Sequence, residues 1–238
     1  MASEQASEQV AGAVAILLAA GAGRRLGVVD QPKAFVPIGG RPILSVAAAA
    51  AAASPAVHRL VITVPAGWED YAQGCVEFCG APTTIVTGGS NRQASVRAAL
   101  AEVETDAEVV VIHDAARPFA SPDLFTAVIE AVAGDAAGAI PVIPVADTVK
   151  RIEGGVVTDT LDRDELGLAQ TPQAFAAPLL RAAHQLAIET DQAFTDDAAI
   201  MEHAGHRVRA IAGDQLNTKI TTLLDLAQAE ARMGGSDG

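Results

Sequence analysis

The sequence predicts an α/β protein whose mostly parallel sheet is flanked by helices. Short apolar runs alternate with longer alanine-rich segments along the chain, which is the pattern of successive βα units. Only 3% of the 238 residues are aromatic, whereas a β-sandwich usually depends on aromatic and β-branched residues. The length is typical of one large domain with a sizeable core.

The apolar runs predict the strands, and the alanine-rich segments predict the helices. Residues 47–53 are all alanine, a strong helix former, and Pro55 cannot continue a helix, so this helix must end near Ser54. The predicted strands, in chain order, are 13–19, 59–64, 83–86, 109–113, 139–143 and 207–211. The predicted helices are 42–53, 68–78, 91–102, 122–133, 178–189, 196–203 and 222–232.

One segment, residues 146–163, departs from this alternation. Two short β-rich runs flank Gly154-Gly155, which is the pattern of a β-hairpin inserted into the α/β scheme. An isolated two-stranded hairpin is only marginally stable in water. We therefore expect this hairpin to pack against another subunit.

Charge and hydropathy exclude several classes of partner. The chain has 16 lysines and arginines against 29 aspartates and glutamates, a formal net charge of −13. A non-specific binder of nucleic acid or of acidic membranes needs a basic surface instead. No apolar run reaches the ~18 to 20 residues of a membrane span without a glycine, a proline or a charge. Any anionic ligand must therefore meet a local basic cluster.

The N-terminal segment and the cysteines favour a cytoplasmic protein. Residues 1–9 are rich in Ser, Glu and Gln and lack the basic start of a secretory signal, so we expect residues 1–12 to form a disordered tail. Cys75 and Cys79 have no His or Cys pair at metal-binding spacing nearby. This is typical of free thiols in a reducing compartment.

A glycine-rich turn, residues 19–27, follows the first predicted strand. Such a turn lets backbone N–H groups approach phosphate oxygens closely. Its glycines also resemble a dinucleotide-binding fingerprint, but that fingerprint opens directly into a helix and expects an acidic residue about 20 positions later. Prolines follow here instead, and the second strand ends at Val64-Pro65 without a carboxylate. An oxidoreductase is therefore disfavoured.

Cations accompany this turn. Arg24 and Arg25 lie within it, and Lys33 follows shortly after, although the chain has only three lysines, Lys33, Lys150 and Lys219. Nucleotidyl transfer spreads negative charge over phosphate oxygens, and its catalysis relies on Arg, Lys and Mg²⁺. An isolated exposed arginine is more often plain surface, but three cations at one such turn favour this chemistry.

The third and fourth predicted strands also end in polar residues. Gly88-Gly89 precedes a helix start that contains Ser95, which fits either a nucleotide contact or a simple turn with an N-cap. Asp114 ends the fourth strand, where a carboxylate could hold Mg²⁺ directly or through water, or cap its own turn. Arg117 could pair with Asp114 or with a phosphate, whereas we expect His113 to be buried.

Two later segments carry weaker signals. Residues 195–197, Thr-Asp-Asp, are most simply a helix N-cap with acidic residues in the first turn. Lys219 follows a strand-like run and is a candidate site cation.

Taken in order, these segments resemble the 2-C-methyl-D-erythritol 4-phosphate cytidylyltransferases of the non-mevalonate isoprenoid pathway. The resemblance extends from Val14 to about Arg232 and rests on motifs that are specific jointly. These are A-A-G-x-G-x-R at 19–25, P-K at 32–33, G-G-x-x-R-x-x-S-V at 88–96, H-D-A-A-R-P at 113–118, D-T-V-K at 147–150, T-P-Q-x-F at 171–175, T-D-D at 195–197 and N-x-K at 217–219.

The resemblance implies a fold, an activity and an assembly. It implies one Rossmann-like nucleotidyltransferase domain over residues 13–233, with residues 146–163 as a β-hairpin dimerisation arm. The family joins CTP to the phosphate of methylerythritol phosphate and releases pyrophosphate, with Mg²⁺ or another divalent cation. It also implies a homodimer in which the arm of one subunit reaches the site of the other.

The resemblance further assigns residues to roles. The implied catalytic residues are Arg25, Lys33, Arg163 and Lys219. The implied CTP-binding residues are Ala19, Ala20, Gly21, Gly23, Arg25, Lys33, Gly88, Gly89, Ser90, Arg92, Ser95 and Ala115. The implied contacts to methylerythritol phosphate are Asp114, Arg117, Thr148, Arg163 and Lys219, with Thr148 and Arg163 reaching in from the partner subunit and Asp114 also beside the metal.

Two alternatives stay open. A ribitol-5-phosphate cytidylyltransferase would look like this family across the same motifs. A catalytically idle nucleotide-binding protein on the same fold is disfavoured by the retained cations and Asp114. The motifs contain no Ser/His or Cys/His pair and no obvious general base. A phosphate monoester needs none, because with a second pKa near ~6 it is already mostly dianionic at neutral pH.

Overall fold

The computed structural model describes residues 12–21, 31–132 and 136–235. Apart from Gly12, the tail predicted for residues 1–12 lies outside the described residues. Gly23 and Arg25 of the glycine-rich turn lie outside them as well. The roles expected of these residues stay predictions.

Strands and helices alternate along most of the described chain. The strands are β1 (Ala13–Leu18), β2 (Pro37–Ile38), β3 (Arg41–Pro42), β4 (Val57–Val64), β5 (Thr83–Thr87), β6 (Val109–Asp114), β7 (Gly138–Pro144), β8 (Val149–Glu153), β9 (Val156–Leu161), β10 (Gly167–Ala169), β11 (Gln173–Ala176) and β12 (Val208–Ala212). The helices are α1 (Ile43–Ala52), α2 (Glu69–Val76), α3 (Arg92–Leu100), α4 (Pro122–Glu130), α5 (Ala177–Glu189), α6 (Asp197–His203) and α7 (Leu223–Gly234). All the predicted strands and helices are confirmed, with ends that differ by a few residues.

Eight of these strands form one sheet. Four of them run parallel in the order β6-β1-β4-β5, and β12 pairs in parallel with β7. β10 and β11 run antiparallel along one side of β7, and β11 also pairs antiparallel with β6. The sequence did not predict these two strands, because runs of three and four residues are too short to show a periodic pattern.

Both faces of the sheet are covered, which explains the continuous apolar runs in its strands. Successive side chains of a strand point to opposite faces. Leu17 accordingly packs in one core with residues of α1, α2 and α4, while its neighbour Ile16 packs in the other with residues of α3, α5 and α6. Polar side chains of the central strands can therefore reach a ligand only where the strands end.

The predicted hairpin is present as β8 and β9, which form their own two-stranded sheet. Gly154 and Gly155 join them with φ angles of 58° and 83°, and a two-residue hairpin turn of this kind needs positive φ at both positions. Ile152 and Val157 face each other in the pairing and are 64% and 57% exposed. The hairpin itself is confirmed, whereas its packing against a second subunit stays a prediction.

The described residues also bear on the expected environment. Cys75 and Cys79 are both free thiols. None of the helices in the described ranges combines the length and the apolar character that crossing a bilayer requires.

Candidate active site

A cavity of about 530 Å³ opens where β1, β5 and β6 end. The carboxyl ends of parallel strands meet at one edge of a sheet, and open α/β sheets bind ligands in the crevice outside that edge. The predicted site residues that line this cavity are Ala19, Ala20, Gly21, Lys33, Gly89, Ser90, Arg92, Ser95, Asp114, Ala115 and Lys219. Segments far apart in the sequence therefore meet at this edge, and their contacts with ligands stay predictions.

Gly88 and Gly89 let the turn after β5 pass close to the turn after β1. A Cβ atom on Gly88 would lie 2.3 Å from the Cβ of Ala20, and one on Gly89 would lie 2.3 Å from the Cβ of Ala94. Both distances are far below van der Waals contact, so no other residue fits either position without a shift of the backbone. Gly89 lines the cavity, whereas Gly88 is not one of its lining residues.

Ser95 holds the turn that leads into α3. Its Oγ accepts a hydrogen bond from the Gly89 N–H at 3.1 Å and donates to the Asn91 carbonyl at 2.9 Å. Asn91 caps α3, because its side chain accepts from the Ala94 N–H at 2.8 Å. The N-cap alternative is therefore correct for this turn, and the same residues also line the cavity.

Asp114, at the end of β6, lies between two cations that line the cavity. Its Oδ2 lies 2.5 Å from Lys219 Nζ, and its Oδ1 lies 3.5 Å from Arg92 Nε. Burial by itself would raise the pKa of Asp114, but the two nearby cations outweigh it and hold that pKa at about 2. Asp114 is therefore a carboxylate at any physiological pH and is not suited to accept a proton.

Two further hydrogen bonds fix the segment that carries Lys219. Lys33 Nζ donates to the Ile220 carbonyl at 2.7 Å, and the Ile220 N–H donates to the Ala116 carbonyl at 2.8 Å. Lys33 and Lys219 therefore lie on the same wall of the cavity as Asp114, although they belong to distant parts of the chain.

Arg117 turns away from the cavity in this structure. Its Nη1 donates to the Asn217 carbonyl at 2.8 Å and its Nη2 to the Ala169 carbonyl at 3.4 Å. Burial lowers the pKa of its guanidinium somewhat. Arg117 thus supports the segment that carries Lys219, and its predicted contact with a phosphate stays a prediction.

His113 is fully buried behind Asp114, as expected. Its Nε2 donates to the Arg117 carbonyl at 3.1 Å, and its Nδ1 accepts from the Thr171 hydroxyl at 3.1 Å. The oxygen of that hydroxyl also accepts from the Asp114 N–H at 3.0 Å. Burial lowers the pKa of His113 to about 4, so the imidazole is neutral and fixes the backbone on both sides of Asp114.

Arg92 pairs with Asp197, for which the sequence predicted only a place at the start of a helix. Asp197, in the first turn of α6, is fully buried and accepts from Arg92 Nη1 at 2.5 Å. The predicted N-cap in this cluster is present at its neighbour Asp196, which accepts from the Ala199 N–H at 3.0 Å. A charged residue that is buried requires a partner, but nothing local in the T-D-D motif identified Arg92, 105 residues away, as that partner.

The predicted arm residues, Thr148 and Arg163, do not lie at this cavity in the structure of the chain. Arg163 is exposed, and its Nη1 donates to the Ala146 carbonyl at 2.7 Å. Neither Arg163 nor Thr148 lines the cavity. Within this chain the structure therefore brings together Lys33, Arg92, Asp114 and Lys219 and leaves the arm residues outside.

Asp114 is the residue that could hold a divalent cation. It is the one carboxylate among the described residues that line the cavity. Over the described ranges there is no cluster of three or more His, Cys, Asp or Glu side chains that could hold a metal by itself. A single carboxylate fits Mg²⁺, which commonly takes one or two carboxylates and completes its shell with water and substrate phosphates.

Comparison with known proteins agrees with this geometry. Residues 13–235 match the family model for IspD, 2-C-methyl-D-erythritol 4-phosphate cytidylyltransferase. The protein of that name from Rhodococcus opacus is 45% identical over 219 residues, which cover 92% of this chain and 93% of that protein.

Solved structures agree as well. The crystal structure of the 2-C-methyl-D-erythritol 4-phosphate cytidylyltransferase from Thermus thermophilus aligns with a TM-score of 0.76 at 34% identity, over 93% of this chain and 99% of that one. The 4-diphosphocytidyl-2C-methyl-D-erythritol synthase from Anaerococcus prevotii aligns with a TM-score of 0.83 at 28% identity, over 94% and 98%. This chain belongs to the 2-C-methyl-D-erythritol 4-phosphate cytidylyltransferase family.

Proposed function

We propose that this protein transfers the cytidylyl group of CTP to the phosphate of 2-C-methyl-D-erythritol 4-phosphate and releases pyrophosphate. The product is 4-diphosphocytidyl-2-C-methyl-D-erythritol, a precursor in isoprenoid synthesis. The observation that carries the proposal is the cavity in which Arg92 and Lys219 pair with a single carboxylate, Asp114, and which Lys33 also lines. Membership of the family supports the identity of the two substrates.

The residues of this wall suit a reaction between two polyanions. The described residues lining the cavity include no histidine, cysteine or tyrosine, and the low pKa of Asp114, about 2, makes it a poor base. A dianionic phosphate monoester can attack phosphorus without giving up a proton. The chain therefore has to attract, align and neutralise charge rather than transfer protons.

Lys219, Lys33 and Arg25 have different roles in this proposal. Lys219 holds the attacking phosphate within about 3 to 3.5 Å of the α-phosphorus, where alignment contributes most to the rate. Lys33 and Arg25 offset the charge that develops at the α-phosphate as the bond to pyrophosphate breaks. Asp114 positions the Lys219 ammonium at the cavity through their contact at 2.5 Å.

Asp114 would also hold the divalent cation. When bound, Mg²⁺ supplies Lewis-acid stabilisation of charge on the nucleotide phosphates. Both oxygens of Asp114 also face cations of the protein, so phosphate oxygens of the nucleotide and water would have to supply the other ligands of the metal.

The functional unit in this proposal is a homodimer. Thr148 and Arg163 of the partner subunit complete the substrate site, carried there by the arm of residues 146–163. The exposed apolar side chains of β8 and β9, among them Ile152 and Val157, support this proposal because they lack a cover within the described part of the chain. We further infer a cytoplasmic location, which the two free cysteines support.

Pyrophosphate release tests the function. Purified protein is mixed with CTP and Mg²⁺ and offered methylerythritol, ribitol or glycerol phosphate in parallel reactions. We expect rapid release with methylerythritol phosphate and little with the other two. Release with ribitol phosphate alone would instead establish a ribitol-5-phosphate cytidylyltransferase, and no release with any acceptor would favour an idle nucleotide-binding protein.

A further inference from the structure

His184 is a buried histidine that does not line the catalytic cavity. It lies on α5 and is 2% exposed. Its Nε2 is 3.0 Å from Oδ1 of Asp197. Because Asp197 also pairs with an arginine, it is a carboxylate and can only accept, so the proton of this hydrogen bond belongs to Nε2 of His184.

Asp197 joins His184 to the cavity. Its Oδ1 faces His184, while its Oδ2 accepts from Nη1 of Arg92 at 2.5 Å. A carboxylate that is fully buried is stable only when its oxygens are paired and hydrogen-bonded. Each of the two oxygens has one strong partner, so the orientation of the carboxylate is determined from both sides.

Arg92 extends from this carboxylate to the cavity wall. With Nη1 on Asp197, its Nε lies 3.5 Å from Oδ1 of Asp114. Its third nitrogen, Nη2, is buried and has no hydrogen-bond partner among the described residues. An arginine side chain has many rotamers, and fixing one of them costs conformational entropy. The two ion pairs select the single rotamer that spans both aspartates.

The loop before α6 is attached to the start of α3 by additional hydrogen bonds. Gln93 Nε2 donates to the Gln192 carbonyl at 3.3 Å, and Gln93 Oε1 accepts from the Phe194 N–H at 3.3 Å. The backbones that carry Arg92 and Asp197 are thus held together independently of His184. Removing the imidazole is therefore expected to release side chains rather than to separate α3 from α6.

We propose that His184 is a positioning residue for CTP binding, acting through Asp197 to hold the Arg92 guanidinium at the cavity wall. This inference rests on the proposed function, because it takes CTP to be the ligand that Arg92 meets. His184 does not touch the substrates in this arrangement. Its contribution is to keep the carboxylate of Asp197 oriented so that Arg92 is already in place when the nucleotide arrives.

Substitutions that separate the hydrogen bond from the volume of the side chain test this role. In His184→Leu the bulk is retained and the donor is lost. In His184→Gln the amide Nε2 can reach the place of the imidazole Nε2, whereas the shorter amide of His184→Asn cannot. Nδ1 of His184 has no partner within the described residues, so no second hydrogen bond complicates the comparison. Gln185→Leu, an exposed change on the same helix, is the matched control.

The measurements are the Kd of CTP by calorimetry and the steady-state KM and kcat for both substrates. We expect His184→Leu to raise the Kd and KM of CTP about tenfold, with the KM of methylerythritol phosphate changed less than about threefold. We expect His184→Gln and Gln185→Leu to stay within about threefold of wild type for CTP. If the leucine variant does not fold, the asparagine variant takes its place, with the same expected loss.

Two results would overturn the proposal. One is normal CTP affinity in a folded His184→Leu or His184→Asn protein. The other is a glutamine variant as impaired as the leucine variant, which would mean that packing rather than the hydrogen bond matters. Because calorimetry needs no acceptor substrate, CTP binding by wild type without turnover of methylerythritol phosphate would reject the proposed function and still leave the role of His184 measurable.

Discussion

Lys33 is the residue on which the proposed transition-state stabilisation depends most directly within the described chain. Its Nζ lies at the cavity wall and donates to the Ile220 carbonyl at 2.7 Å, so its position is set before substrates bind. A donor that is already in place acts on developing charge without a cost of reorganisation. Its contribution should therefore appear in kcat rather than in substrate affinity.

The first prediction concerns Lys33→Ala and Arg25→Ala. Each should lower kcat by at least ~100-fold, the scale for removing one preorganised donor, with smaller effects on KM. Arg41→Ala, which removes an exposed cation from β3 outside the site, should leave kcat unchanged. Steady-state kinetics under saturating CTP measure the effect. A wild-type kcat in either site variant would contradict the proposed role of that residue.

The second prediction concerns His113 and pH. Burial lowers its pKa from 6.5 to about 4, so between these values the unfolded chain binds a proton at this site that the native protein does not. The native state is therefore favoured above pH 6.5 and loses stability as the pH falls toward 4. From this group alone, the free energy of unfolding should fall by about 2 kcal/mol between about pH 7.5 and about pH 5.

Urea unfolding at a series of pH values tests this expectation. His113→Gln removes the titrating group and should reduce the pH dependence of the unfolding free energy by about that amount, whatever its own stability. The same substitution at the exposed His58, His58→Gln, is the matched control for replacing a histidine by glutamine. Identical pH dependence in the His113→Gln and wild-type proteins would show that His113 titrates normally.

At the scale of secondary structure, α7 and its cap stabilise the segment that carries Lys219. The Oδ2 atom of Asp225 accepts from the Thr221 N–H and hydroxyl, each at 2.7 Å, and from the Thr222 N–H at 2.8 Å. The Thr222 hydroxyl in turn accepts from the Asp225 N–H at 3.2 Å, which completes a capping box. Hydrogen bonds from Thr221 lower the pKa of Asp225 to about 2, so the cap is ionised at neutral pH.

The third prediction is that Asp225→Ala weakens this segment. We expect a loss of about 1 kcal/mol in the free energy of unfolding, the usual cost of losing a cap, together with a higher KM for the polyol phosphate because Lys219 is less well held. Gln228→Ala, an exposed change on the same helix, is the control. A loss of stability with an unchanged KM for the polyol phosphate would show that the cap does not position Lys219. That result would contradict the expected rise in KM.

The sequence predicted the longer elements well because each has its own local signal. The alanine run of α1 and the apolar runs of β1 and β6 show their type within a single window of residues. β10 and β11 were missed because their stability comes from pairing with β7 and β6 rather than from a local pattern. Short strands of this kind become visible only in the folded sheet.

The site, too, has residues that the sequence predicted and a contact that it did not. Lys33, Asp114 and Lys219 lie in motifs at predicted strand or loop ends, and the structure brings them to one cavity. The support behind Arg92 was not predicted, because its contact with Asp197 joins residues 105 positions apart. Only the fold brings α6 against the start of α3, so no spacing in the sequence could indicate this pair.

At the scale of the whole molecule, the acidic surface and the basic cavity have different roles. The net charge of −13 is spread over the chain, while Lys33, Arg92 and Lys219 lie together where the polyanionic substrates would meet. The scarcity of lysine has a simple compositional explanation, a preference for arginine and alanine, but that preference does not explain why two of the three lysines line one cavity.

The fourth prediction concerns assembly. Deleting residues 149–158, which span β8 and the first half of β9, should disrupt the dimer and abolish activity together, because the arm would both join the subunits and complete the site. Arg163→Ala should keep the dimer and lose activity, which distinguishes the two contributions. Light scattering after gel filtration gives the mass, and pyrophosphate release gives the activity. A fully active monomer would contradict the shared site.

CTP and methylerythritol phosphate are the proposed substrates, and a competition reaction compares methylerythritol phosphate with ribitol 5-phosphate as acceptors. Wild-type protein receives limiting CTP, Mg²⁺ and equal concentrations of methylerythritol phosphate and ribitol 5-phosphate, and ³¹P NMR reports the two diphosphate products in one sample. We predict that the methylerythritol product accounts for nearly all of the CTP consumed, with pyrophosphate in equal amount. A predominance of the ribitol product would contradict the account.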